Sequence, residues 1–168
     1  YEVSTGKKTY LWYNRNKLLT EYDYCTGGKN GYTPRAGKTL VSTASKNGLN
    51  LTTVTLSDGD IYNNHRNLFD DAFSRYYNYK IIDKNHFEVD KEFVEDDVYI
   101  KESFYYPLMK SELNNVKTII RFFNDASNDK VGVINVYLFD DEIAKIPIYK
   151  NKKNKESSSF LRWFKSLF

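Results

Sequence analysis

Gly31 and Gly37-Lys38-Thr39 carry the letters of a phosphate-binding loop, so nucleotide chemistry is the first possibility to weigh. Such a loop cradles phosphates with successive backbone N–H groups, needs four residues between its glycines and opens a helix. Here five residues intervene, Pro34 removes one donor, and the segment is flanked by strand-like runs. The pattern argues against a nucleotide site. Cys25 is the only cysteine, which permits neither an internal disulfide nor a cysteine zinc site. Without a partnered histidine it reads as an incidental small residue rather than a nucleophile. The two histidines, His65 and His86, have no Cys or His at metal-ligand spacing, and both read as surface or helix-face residues. Glu88, Asp90, Glu92, Glu95, Asp96 and Asp97 form an acidic run that reads as a solvated face or loop. No metal and no cofactor is expected.

The elements that would hold such residues can be read from period and punctuation. Aromatic residues make up 17% of the chain, with 15 Tyr and 11 Phe, and these suit half-buried pleated surfaces. Residues 1–26 are polar and aromatic without a clean period. Pro34 to Gly37 marks a turn. Thr39 to Ser45 reads as a strand, Asn47-Gly48 as a hairpin turn, and Leu49 to Leu56 as the returning strand. Residues 27–56 are therefore expected to form three consecutive antiparallel strands. Asp60 is placed to cap a helix whose apolar stripe is Ile61, Leu68, Phe69, Ala72, Phe73, Tyr76 and Tyr77. That stripe reads as core packing. From Tyr79 the texture turns to strands at Lys80–Ile82, Asp97–Tyr106, Val116–Phe123 and Val131–Phe139, then a turn at Asp140-Asp141 and a last strand at Glu142–Tyr149. The fold class is α+β, with breaks near Tyr77–Lys80 and at Lys150–Ser159.

The net charge of +3 does not argue for nucleic acid, and no RNP-like or helix-turn-helix pattern is present. From Lys150 onward six basic residues face one acid, a local +5 that leaves about −2 for the rest. No apolar run approaches the roughly 18 residues of a spanning helix. Ser159 is placed to cap a short helix, on which Phe160, Leu161, Trp163, Phe164, Leu167 and Phe168 fall within an arc of about 160°. Arg162, Lys165 and Ser166 take the other side. So short a helix needs a surface to lie on, either the protein's own core or an anionic membrane interface, and the approach by Lys150 to Lys155 favours the interface.

Four segments together resemble the D-alanyl-D-alanine carboxypeptidases, serine enzymes with a β-lactamase-like fold. Lys29-Asn30-Gly31-Tyr32-Thr33-Pro34 with Ala36-Gly37-Lys38-Thr39-Leu40-Val41 is similar to their third active-site motif. Tyr13-Asn14-Arg15-Asn16-Lys17-Leu18-Leu19 looks like the approach to it. Asn63-Asn64-His65 and Leu68-Phe69-Asp70 resemble the start of their domain-closing helix, and Tyr137 to Pro147 the last hairpin of their β-rich C-terminal domain. The resemblance implies acyl transfer through a serine, in which backbone N–H donors must meet an oxyanion. It assigns one donor to the N–H of Tyr32. It places Lys29 near the substrate's terminal carboxylate, with Asn30 in the substrate-binding strand, and has Gly31 leave space for the substrate backbone. Asn30 departs from the family, which has Thr there. The expected Ser-x-x-Lys and Ser-x-Asn motifs are missing. Ser4-Thr5-Gly6-Lys7 and Ser45-Lys46-Asn47 fit by letters but stand in the wrong places.

Three parts are expected: 1–77, the end of a transpeptidase-like domain; 78–150, a β-rich domain; and 151–168, a basic linker with an amphipathic membrane-anchor helix. The implied function is D-alanyl-D-alanine carboxypeptidation of peptidoglycan pentapeptide, with β-lactams as pseudo-substrates, outside the cytoplasm on the outer face of the cytoplasmic membrane. The isolated chain is expected to be inactive. The rival is a non-catalytic wall or membrane module with a vestigial strand.

Overall fold

A computed structural model of the protein describes residues 2–94, 97–123 and 129–151. The chain divides into two compact units, one of residues 1–79 with 107–110 and the other of residues 80–106 with 111–168.

The first unit opens with a hairpin of β1 (Glu2–Ser4) and β2 (Thr9–Leu11), turned at Gly6 with φ +80°. One helical turn, α1 (Leu18–Glu21), follows. Then come β3 (Cys25–Thr33), β4 (Gly37–Lys46) and β5 (Leu49–Thr55), antiparallel in that order. Asn47 and Gly48 both take positive φ, 51° and 78°, as the two-residue hairpin requires. Strand alternation puts Leu40, Ser42 and Ala44 on one face of β4, all buried. Onto that face lies α2 (Ile61–Arg75), which buries Ile61, His65, Phe69 and Phe73, four residues apart each time. Leu18 and Tyr22 complete this core, and the Tyr22 and Phe69 rings stack at 5.9 Å. Burying a side chain of Phe69's size contributes about 1.5–3 kcal/mol.

Three details differ from the sequence expectation. Asp60 stands at the N-cap position, but its side chain makes no cap hydrogen bond. Its carboxylate instead accepts Asn63 Nδ2, and Asp58 receives the Asp60 N–H. Leu68 is 49% exposed, off the buried stripe. Tyr76 and Tyr77 leave the helix for β6 (Tyr76–Ile82), because a run of aromatic and β-branched residues prefers a strand.

The second unit is built on an antiparallel sheet in the order β7 (Val98–Tyr99), β11 (Asp141–Lys150), β10 (Lys130–Leu138), β9 (Val116–Phe122). Its core is Ile100, Ile134, Val136 and Ile148, with Val116, Phe122, Ile143 and Ile146 packed against it. The expected single strand over Asp97–Tyr106 is two, β7 and β8 (Phe104–Met109), and β8 pairs with β6. A 3-10 helix at Lys110–Asn115 leads into β9. The turn before β11 puts Phe139 at φ +55°. The α+β expectation holds: antiparallel sheets with few helices.

Candidate functional site

β3 is an edge strand, hydrogen-bonded to β4 alone among the described residues. Its register pairs Lys29 with Val41, Asn30 with Leu40, Gly31 with Thr39 and Tyr32 with Lys38. The backbone direction follows from one bond. Lys38 gives its carbonyl to the Asp58 N–H at 3.1 Å, away from β3. In an antiparallel ladder a residue turns its N–H and C=O to the same side, and paired residues turn opposite ways. Tyr32 therefore directs its N–H off the open edge, and so does Asn30, two residues back. Consistently, the Lys29 ammonium curls over that edge to the Asn30 carbonyl at 2.7 Å. Thr39, whose partner Gly31 faces inward, gives its hydroxyl to the Gly31 carbonyl at 3.3 Å.

The predicted residues thus fall along one stretch of edge. Lys29 is exposed, Asn30 half-buried, and the Tyr32 ring 69% exposed. Gly31 has a steric reason beyond any ligand: a Cβ there would stand 2.9 Å from Thr39 Oγ1. Gly28 is tighter. A Cβ would meet Val41 O at 2.4 Å and Asn16 Nδ2 at 2.8 Å, and its φ is +148°.

Beneath the strand lies a support that sequence reasoning did not foresee. Asn16 is buried; its Oδ1 accepts the Leu18 N–H at 3.1 Å, while its Nδ2 has no partner and faces Gly28. His65 is fully buried rather than at the surface, with Nδ1 2.5 Å from Ser42 Oγ and Nε2 3.0 Å from Thr55 Oγ1. It ties α2 to β4 and β5. Burial pushes its pKa below the ordinary range, so it is held neutral, although the nearby Asp58 charge works the other way. Only the four-residue repeat on α2 signalled that His65 faces inward.

The other candidates do not converge on this edge. Ser4 to Lys7 form the β1–β2 turn, and Ser45 to Asn47 end at the β4–β5 hairpin. The Gly31 to Thr39 segment is a strand–turn–strand, with no helix to hold a phosphate. Cys25 is half-buried, its Sγ 3.5 Å from Gly27 O. His86 is a surface residue beside Asp83 at 3.1 Å. Asp83 is held well below the usual carboxylate range, first by its hydrogen bond from Lys80. Among the described residues no group of three His, Cys, Asp or Glu is placed to hold a metal. Nor is any helix there long and apolar enough to cross a membrane. Phe160, Leu161, Trp163, Phe164, Leu167 and Phe168 lie outside the described residues.

Comparison with known proteins gives a likeness to the D-alanyl-D-alanine carboxypeptidases. A family model described as D-alanyl-D-alanine carboxypeptidase matches residues 1–60, a stretch that includes α1 and β3 to β5. The chain is similar to the crystal structure of the D-alanyl-D-alanine carboxypeptidase DacD from Francisella tularensis. That likeness has 25% identity and a TM-score of 0.56 over 86% of this chain and 40% of that one. Two further likenesses show the fold alone. Penicillin binding protein 6B from Escherichia coli has 21% identity and a TM-score of 0.51, over 87% of this chain and 40% of that one. Penicillin binding protein 5 from Haemophilus influenzae has 17% identity and a TM-score of 0.59, over 90% and 48%. No curated protein matches the chain. The chain spans less than half the length of these solved proteins. The resemblance drawn from the four segments stands, as a likeness to a C-terminal portion of that family.

Proposed function

We propose that this chain is the C-terminal portion of a serine-type D-alanyl-D-alanine carboxypeptidase acting on peptidoglycan stem peptides. The observation that carries the reading is the open edge of β3, with the Tyr32 N–H directed outward and the Lys29 ammonium curled over it. A substrate lying along that edge gains main-chain hydrogen bonds. Attack on its carbonyl develops an oxyanion, which an N–H already aimed outward meets without reorganisation. A lysine at the same edge attracts the terminal carboxylate of the stem peptide. Asn30 supplies an amide donor where the family has a hydroxyl, with different reach. The nucleophile is supplied by residues outside this sequence, and residues 1–77 complete their fold against the segment that carries it.

Two measurements test this. The 168-residue chain incubated with a fluorescent penicillin gives no labelled band on a denaturing gel; a labelled band overturns the reading. In the full-length protein Lys29→Ala slows acylation by about 10²–10³-fold, the scale of losing one preorganised charge-stabilising group. Lys38→Ala changes little, since its ammonium already binds the Gly59 carbonyl at 3.2 Å. Equal effects from the two would displace the site from β3.

The same reading puts the protein outside the cytoplasm, held peripherally on the outer face of the cytoplasmic membrane by the amphipathic segment from Phe160 to Phe168. Its support is the sequence alone: complete segregation of Trp, Phe and Leu from Arg and Lys, after a lysine-rich approach. Co-sedimentation with anionic liposomes falls when the chain ends at Lys155. An unchanged bound fraction rules the anchor out.

A further inference from the structure

In the second unit β9 is also an edge, paired with β10 alone among the described residues. Such an edge offers a row of backbone donors and acceptors to another chain, and apolar residues on it raise that tendency. β9 is seven residues long and carries Ile119 and Ile120, 45% and 41% exposed. Their side chains point to opposite faces, so the edge is bare on both sides rather than rolled under on one. Ile119 is flanked on its own face by Lys117 and Arg121. Neither cation makes an ion pair among the described residues. The register carries this face inward from Ile119 to Asn135 and on to Lys145, and from Arg121 to Val133 and Pro147. In these rows and the one from Lys117 the single acid is Glu142, already held by Asn135 Nδ2 at 2.7 Å and Lys145 Nζ at 3.0 Å. Beside Arg121 the face is hollowed by a concavity of about 430 Å³, lined in part by Val133, Asn135 and Lys145. Asn135 is 97% buried there, since only 3% of it is exposed, and its Oδ1 has no hydrogen-bond partner.

We propose that β9 takes up an extended acidic peptide of a partner protein as an added strand, with carboxylates facing Arg121 and Lys117. Main-chain pairing supplies the affinity and alternate side chains the selectivity. The charge decides the occupant. Residues 152–168 of this chain carry Lys152, Lys153 and Lys155, of the same sign as the edge, and are repelled by it. The inference is independent of the carboxypeptidase reading, because it uses no residue of β3.

The test uses the 168-residue chain and a fluorescein-labelled peptide of about eight residues alternating Glu and Val, long enough to span β9. Anisotropy at low salt reports binding, and hydrogen exchange locates it. The peptide binds and protects amides of β9. The same peptide N-methylated at alternate backbone nitrogens keeps its charge but loses the pairing, and does not bind. Lys117→Glu with Arg121→Glu weakens binding by about tenfold or more, as expected when two exposed attractions become repulsions. Both positions are exposed, and far-UV circular dichroism checks that the variant folds; Arg121→Gln gives a milder loss in the same direction. Equal binding of the N-methylated peptide or of a polyphosphate chain means a general polyanion surface and overturns the proposal. So does a chain ending at Asn151 that binds about tenfold more tightly, since residues 152–168 would then be the occupant.

Discussion

A methyl group added at Gly28 would stand 2.4 Å from the Val41 carbonyl, at a backbone φ of +148°. No side chain can relieve that contact, because the opposing atom is backbone of the paired strand. Gly28→Ala is therefore expected to cost about 2–4 kcal/mol through strain and displaced pairing. Gly59→Ala, with nothing within 4 Å of the added carbon, stays within about 0.5 kcal/mol. Urea unfolding of the two variants checks this, and similar losses would mean that β3 yields to the added methyl. The sequence showed Gly28 as one of several glycines near a motif. It did not show that Asn16, twelve residues earlier, lies beneath it, because that contact depends on α1 turning the chain back under the strand.

At the scale of elements, α2 and the β4–β5 pair meet through His65, fully buried between the Ser42 and Thr55 hydroxyls. Its pKa is lowered in the fold, chiefly by burial. The unfolded chain, with an ordinary histidine near 6.5, binds a proton first as pH falls. The stability tied to neutral His65 is therefore fully present above about pH 6.5, and is lost progressively as pH falls from there through the folded value. Denaturant midpoints between about pH 7.5 and pH 5 should fall in the native chain and flatten in His65→Gln, which cannot titrate. Parallel curves would assign the loss to other groups. The elements themselves were legible where one face is strictly repeated. Asn47-Gly48 fixed the β4–β5 hairpin, and the apolar stripe through Ile61, Phe69, Ala72 and Phe73 marked α2, whereas His65 on the same buried face was not read as part of it. Where the pattern serves two periods, reading failed. Tyr76 and Tyr77 continue a helical stripe and also begin a strand, and only pairing with β8 decides between them. The division of Asp97–Tyr106 into β7 and β8 was hidden for the same reason, since the two strands join different partners.

At the scale of the whole molecule, the chain carries two cores that share no residue, one around Leu40 and Phe69 and one around Ile134 and Val136. Each gathers its side chains from its own sheet: β4 with α2 in the first unit, β10 with β11 in the second. Phe69 is 1% exposed and Ile134 2%, so truncating either removes fully buried surface and leaves a cavity. Phe69→Ala is expected to cost about 3–5 kcal/mol and Ile134→Ala about 2–5 kcal/mol. A chain with separate cores need not unfold in one step. The expected result is two transitions, each variant lowering one and leaving the other near its native midpoint. Hydrogen exchange along β4 reports the first unit. Hydrogen exchange along β10 reports the second. If Phe69→Ala lowered the protection of β10 as much as it lowered the first transition, the two cores would be one cooperative unit.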